Sequence, residues 1–179
     1  VCSTGEFGQE SCEHEYYIYD ARERMVAVER QVDSEPKVFV AEYKYNALGW
    51  RFEKRVNGSS EFFLYDQTGL VGEYDASQEL IKEYHYTPGE TFMSNAVFQR
   101  SSDEEYYFYF NDQLGTPKKL YNTSGLVVWS SRSSTFGRTS ILESIVENNL
   151  RSAGQYYDFE TSAHYNFYRS YVASSGRYL

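Results

Sequence analysis

The chain has 179 residues, about one ordinary domain, and its 17 Lys+Arg against 26 Asp+Glu give a formal net charge of −9. That balance argues against a phosphate-backbone partner, whose binders carry a basic stripe. The 41% hydrophobic share can build a core, and the 18% aromatic share, with 19 Tyr and 12 Phe, is not a disordered composition.

Tyrosine joins an apolar ring to a polar tip and suits half-buried sheet faces. No run approaches the ~18 consecutive apolar residues of a spanning helix. No signal peptide is visible, and the first residue is Val1 rather than Met, which reads as a fragment or processed product. Residues 1–15, VCSTGEFGQESCEHE, are polar and aperiodic and read as a lead-in or linker. Free thiols rank first for Cys2 and Cys12, a disulfide second and a metal last, since two Cys and His14 leave a zinc ligand missing.

From Tyr16 a unit recurs: aromatic-x-Tyr-Asp/Asn, a short turn often holding Gly, then an apolar strand. Tyr17-Ile18-Tyr19-Asp20, Tyr43-Lys44-Tyr45-Asn46 and Phe63-Leu64-Tyr65-Asp66 are its clear copies. Tyr84-His85-Tyr86-Thr87 and Tyr107-Phe108-Tyr109-Phe110 are weaker ones. The second aromatics step by 26, 20, 21 and 23 residues, the mark of stacked supersecondary units. Aromatics at i and i+2 share one strand face. Asp or Asn opens the turn through its side-chain acceptor, and Gly three residues later takes a positive φ. Gly49 and Gly69 fit that rule, whereas Glu23 and Gln78 stand where Gly is expected, so those two turns should be strained or differently shaped. Each unit supplies about two strands, which predicts on the order of a dozen, mostly antiparallel and joined by hairpins. Residues 32–37 and 87–105 read as longer surface connections. Ile141, Leu142, Ile145, Val146 and Leu150 keep roughly helical spacing and predict a short helix near 141–150.

Tyr106 to Gly137 reads as strand, turn, strand, turn, strand. Asp112-Gln113-Leu114-Gly115-Thr116-Pro117, then Asn122 to Gly125, then Val127-Val128-Trp129 and Phe136-Gly137, resemble the repeat-associated core of Rhs/YD-repeat proteins, which runs D-x-L-G-T-P, D-x-x-G, V-x-W, F-G. The end is similar to the same family through Asn148, Leu150, Arg151, Gly154, Gln155, Tyr156, Asp158, Glu160, Thr161, Tyr165, Asn166, Arg169, Tyr171, Gly176, Arg177, Tyr178 and Leu179. The resemblance covers residues 16–179 and is most specific from Tyr106 onward. It implies a lead-in over 1–15, YD-type repeats over 16–105 and a core segment over 106–179. Asn149 stands where the family has Pro, Ser162 replaces a turn Gly, and Val172-Ala173 replaces Asp-Pro. The resemblance also brings an aspartate-dependent self-cleavage element, but Val172 cannot move a proton and the sequence given stops before the Asp-Pro-x-Gly element. Self-cleavage is therefore disfavoured, and Arg169 reads as a Tyr-stacked, salt-bridged sheet residue ahead of a remnant of that machinery.

The motifs of ordinary catalysis, G-x-S-x-G, the P-loop, H-E-x-x-H and the Rossmann fingerprint, are not in the sequence. No cofactor or metal is therefore expected. His85, between two Tyr, should face the opposite, solvated side, and His164 reads as structural. Tyr106 to Phe110 reads as a sheet-burial pattern before a sugar platform.

The fold expected is all-β: YD-type antiparallel hairpins stacked into a curved, spiralling sheet, part of a β-cocoon shell. The resemblance implies a shell segment that encloses a C-terminal toxin. Its partners would be that toxin, other parts of the same shell, a secretion-apparatus spike or an immunity protein, with no nucleic acid and no membrane span. The setting would be bacterial, secreted or delivered by a secretion system. A toxin of ~100 residues has a gyration radius near 13 Å and needs a cavity ~35–40 Å wide. A dozen strands about 4.8 Å apart make a strip of about 60 Å, roughly half a circumference, so this chain alone should not enclose one. A cell-surface adhesion or sugar-binding module is the alternative.

Overall fold

A computed structural model describes residues 2–4, 10–90, 92–152 and 154–179. The strands follow one another as hairpins. They are β1 (Cys2–Thr4), β2 (Glu10–Tyr19), β3 (Met25–Val32), β4 (Val38–Tyr45), β5 (Arg51–Val56), β6 (Ser59–Asp66), β7 (Gly69–Tyr74), β8 (Leu80–Tyr86) and β9 (Ala96–Ser101). Then come β10 (Tyr106–Asn111), β11 (Pro117–Asn122), β12 (Val127–Ser133), β13 (Thr139–Ser144), β14 (Tyr156–Asp158), β15 (Ala163–Asn166), β16 (Arg169–Val172) and β17 (Arg177–Tyr178). The first thirteen make one sheet in unbroken sequence order, and the last four make a second. Every pairing is antiparallel. The all-β expectation holds, with more strands than the dozen foreseen.

One turn recurs through the wall. At Asp20, Asn46, Asp75, Asp112 and Asn122 the side-chain Oδ1 accepts from the backbone N–H two and four residues on, at 2.8–3.0 Å. The residue three on has positive φ: Gly49, Gly115 and Gly125, but also Glu23 at 61° and Gln78 at 67°. Those last two turns keep the shape of the others, with Glu23 N–H donating to Asp20 O and Gln78 N–H to Asp75 O at 3.0 Å each. The sequence expectation of strain is met and that of a different shape is not. A side chain in the left-handed region costs about 1–2 kcal/mol, which Gly escapes. Glu23→Gly and Gln78→Gly should therefore each raise stability by about 1 kcal/mol, read as a higher urea midpoint at unchanged slope.

A bulge sits immediately ahead of the second aromatic of the unit, at Ile18/Tyr19, Lys44/Tyr45, Leu64/Tyr65 and His85/Tyr86. Such bulges bend a strand and increase its twist. They also turn the second tyrosine back toward the neighbouring strand: Tyr45 Oη donates to Met25 O at 2.7 Å and Tyr86 Oη to Leu70 O at 2.9 Å.

The short helix expected near 141–150 is not formed. Thr139–Ser144 is β13, paired with β12 from Trp129↔Ser144 to Ser133↔Thr139. Ile141, Leu142 and Ile145 are exposed, so no core lies where a helix would bury them. Pairing satisfies the backbone edge of β12, and that outweighs a weak local spacing. The stretch 87–105, read as a connection, contains β9. The polar stretch read as a lead-in supplies β1 and the start of β2. Cys12 is disulfide-bonded, which corrects the preference for free thiols, and Cys2 lies opposite it in register.

Candidate functional site

Strand alternation gives the large sheet two faces. One carries Tyr17, Val28, Ala41, Tyr43, Lys54, Phe63, Glu73, Lys82, Tyr84, Gln99, Leu120 and Trp129, which face one another in register or share its core clusters. The second sheet packs on this face. Tyr156 and Tyr165 join Phe63, Leu70, Tyr84, Tyr86, Met93, Ala96 and Leu150 in a single core. Tyr156 meets Phe63 edge-on at 5.5 Å.

The seam between the sheets is charged as well as aromatic. Arg51, 2% exposed, grips Asp158 through two bonds of 2.6 and 2.8 Å. Its backbone N–H donates to Tyr165 Oη at 3.0 Å. The guanidinium lies 4.3 Å from the Tyr165 ring centre and 5.0 Å from that of Tyr43. Lys54 reaches Glu61 at 3.1 Å, Glu160 at 3.7 Å and Asp158 at 3.9 Å, and Tyr43 Oη donates to Glu160 at 3.0 Å. Further along the same face Lys82 bridges Glu147 at 3.0 Å and Glu73 at 3.6 Å, while Tyr84 Oη donates to Glu73 at 2.6 Å. Burial works against the charge on Lys54 and on Lys82, yet the surrounding carboxylates hold both above the ordinary lysine value. Burial and the neighbouring Asp158 raise Glu160, against the pull of Lys54 and Arg51. Arg51, Lys54 and Lys82 thus each meet an opposite charge from another segment, which fixes how the sheets dock.

The sequence-singled residues divide by role. Asp20, Asn46, Asp112, Gly49, Gly115 and Gly125 build the recurrent turn, and Asp66 accepts from Thr68 N–H at 2.7 Å in a tighter one. Gly69 and Gly115 do more than turn: a Cβ on Gly69 would stand 2.8 Å from Met93 N, and one on Gly115 2.9 Å from Asn95 N. Pro117 opens β11, and Gly137, Gly154 and Gly176 take positive φ in loops. Trp129 and Tyr165 are buried, Tyr45 and Tyr65 partly so, and Tyr19 is 43% exposed. Arg177 is exposed on β17. Arg169 stacks on Tyr178 at 4.3 Å and makes no ion pair among the described residues, so the stacked half of its reading holds. His85 is exposed between buried Tyr84 and Tyr86, as alternation requires, and it stacks on Phe98 at 4.2 Å. Arg51, Lys54, Glu73 and Lys82 were missed: Arg51 and Lys54 stand three apart on β5 and share the inward side only through the register shift opposite Lys44/Tyr45, which no simple alternation shows.

His164 is buried, with Nδ1 2.7 Å from Gln155 Oε1. Burial and the nearby Arg151 charge push it down to about 4. Unfolding returns it to its ordinary value near 6.5, so between those values the unfolded chain binds a proton that the folded chain refuses. Its contribution is complete above pH ~6.5 and is lost as pH falls toward about 4, by at most about 3 kcal/mol. Urea titrations from pH 7 to pH 4 should show this loss, and His164→Gln should flatten it.

The family model described as "RHS protein" matches residues 107–141, from β10 into β13. The chain thus resembles Rhs/YD-repeat proteins. The Rhs match falls on the D-x-L-G-T-P turn and on Trp129, which closes the core of Leu120 and Val128. Among curated relatives, the "tRNA3(Ser)-specific nuclease WapA" of Bacillus spizizenii is 29% identical over 91% of the chain and 7% of its own length. The "Double-stranded DNA deaminase toxin A" of Burkholderia cenocepacia is 23% identical over 91% of the chain and 13% of its own length. The chain therefore spans only about a tenth of these proteins. The crystal structure of TcdB2-TccC3 matches the fold over 92% of the chain and 9% of its own, at a TM-score of 0.65 and 15% identity.

Proposed function

We propose that the chain is a wall segment of an Rhs-type shell that encloses and helps deliver a toxin, and that it performs no chemistry itself. The observation that carries this reading is the unbroken order of the thirteen-stranded sheet, a strip that strand addition can extend. Thirteen strands about 4.8 Å apart span roughly 60 Å, about half the girth required around a ~100-residue cargo. In this reading residues 16–105 are the repeat wall, residues 106–179 the core segment, whose β10–β13 continue the wall and whose β14–β17 fold back over it, and 1–15 a lead-in. The Asx and Gly residues of the turns set the strand spacing, and the charged seam ties the fold-back to the wall. The partners would be the toxin and neighbouring shell segments, with an immunity protein or secretion spike beyond them, in a secreted or delivered bacterial protein.

Cryo-electron microscopy of the natural gene product tests this. The strip should line a hollow shell with cargo density inside; a solid particle without interior space would sink the reading.

One observation favours a second reading, a sugar-binding or adhesion module. On the opposite face Phe98 meets Tyr106 at 5.7 Å and Phe108 at 6.2 Å, and Tyr106, Phe108 and Phe110 are exposed. Those ring pairs are tilted by 52° and 54° and form no flat platform. A glycan array that gives binding abolished by Phe108→Ala would nevertheless select it.

A further inference from the structure

A cavity of about 440 Å³ opens between the second sheet and β13. That lies within the roughly 300–1,000 Å³ of small-ligand sites. Arg138, Arg151, His164, Tyr157, Phe159 and Ile141 stand in its lining, which holds no Asp or Glu among the described residues. In a chain of net charge −9, two arginines around one cavity without a carboxylate is a local inversion of sign.

Arg151 is the sharper anomaly. It is 5% exposed. Its Nη1 donates to Asn148 O at 2.7 Å and to Leu150 O at 2.9 Å, which fixes the guanidinium in place. The rings of Tyr157 and Trp129 lie 4.9 and 5.6 Å away. Its Nε has no hydrogen-bond partner among the described residues. The other deeply buried guanidinium, Arg51, is held by two bonds to Asp158; Arg151 has no such counter-ion. A buried charge without its opposite is expensive, and a buried donor without an acceptor calls for an explanation.

We propose that this cavity is a carboxylate-binding site, in which the Arg151 guanidinium holds the carboxylate from the buried side and Arg138 draws it in from the exposed side. Tyr157, Phe159 and Ile141 offer apolar surface to the rest of the ligand. The carboxylate can come from an acidic residue of a peptide segment or from a free small organic acid, and the chemistry at Arg151 is the same. The proposal goes beyond the wall reading and does not depend on it.

The test is 15N–1H spectroscopy of the Arg151 Nε–H in the 179-residue chain, at constant ionic strength with chloride as the control. The probes are sodium acetate, sodium benzoate and a blocked Ala-Asp-Ala tripeptide. A saturable downfield shift with a Kd of about 1 mM or tighter is expected. A shift with the tripeptide alone assigns a peptide source, and a shift with acetate or benzoate assigns a free acid; either supports the site. Arg138→Gln, at an exposed position, should weaken binding about two- to fivefold. Arg151→Gln removes the reporting Nε–H, so its binding is read from the backbone N–H signals of the lining residues, and it should weaken binding more than about tenfold. Should Arg151→Gln fail to fold, the wild-type shift and Arg138→Gln still decide. No saturable shift with any probe, a shift matched by chloride, or an Arg138→Gln chain that binds as tightly as the wild type overturns the proposal.

Discussion

Arg51→Ala is expected to destabilise the folded chain by about 3–5 kcal/mol, because it leaves Asp158 buried without its partner. The pair is closed to solvent on both sides, at 3% and 4% side-chain exposure, and holds β5 of the wall to β14 of the second sheet. Lys54, 3.9 Å from Asp158, is too far and too engaged with Glu61 and Glu160 to replace the lost guanidinium. The loss should show as a lower urea midpoint at an unchanged slope, and the cooperative transition should remain single. Arg51→Met with Asp158→Leu removes both charges and should recover most of the loss, since apolar replacements of buried pairs are often neutral. A double variant as unstable as Arg51→Ala would mean that the pair contributes net energy, rather than chiefly register, to the seam.

How much of this was legible beforehand differs by level. The hairpins were legible because their determinants are local. Asp20, Asn46, Asp112 and Asn122 each carry an acceptor that reaches two N–H groups within four residues, and that information lies entirely in a five-residue window. Even the two turns without glycine, at Glu23 and Gln78, were flagged as costly, though their geometry follows the rule rather than departing from it.

The seam was not legible, because its partners are 107 residues apart in Arg51–Asp158 and 117 in Tyr43–Glu160. A lysine on an alternating strand reads as solvated until something covers it. Lys54 and Lys82 are buried because a later segment folds back over their strands, and no local pattern carries that event. The helix expected at 141–150 failed for the same reason in reverse. Its apolar spacing was real, but the open edge of β12 offered Thr139–Ser144 a ladder of backbone partners.

The second large effect should come from Tyr156, on the short strand that begins the fold-back. It is 1% exposed and lies against Phe63 within the principal core, and its ring centre is 5.7 Å from both Arg51 Cζ and Lys54 Nζ. Removing such a ring leaves a cavity that rigid sheets on both sides cannot fill, and Tyr156→Ala should cost about 3–5 kcal/mol. The hydroxyl is a separable part. Asn149 Nδ2 donates to it at 2.7 Å, so Tyr156→Phe strands a buried amide donor and should cost about 1–3 kcal/mol. Asn149→Ala removes the donor with the acceptor still present, and in the double variant with Tyr156→Phe the two losses should not add, because both break the same bond. Additive losses would show that the hydroxyl works through another group, and the ring alone would then account for how the second sheet is seated on the wall.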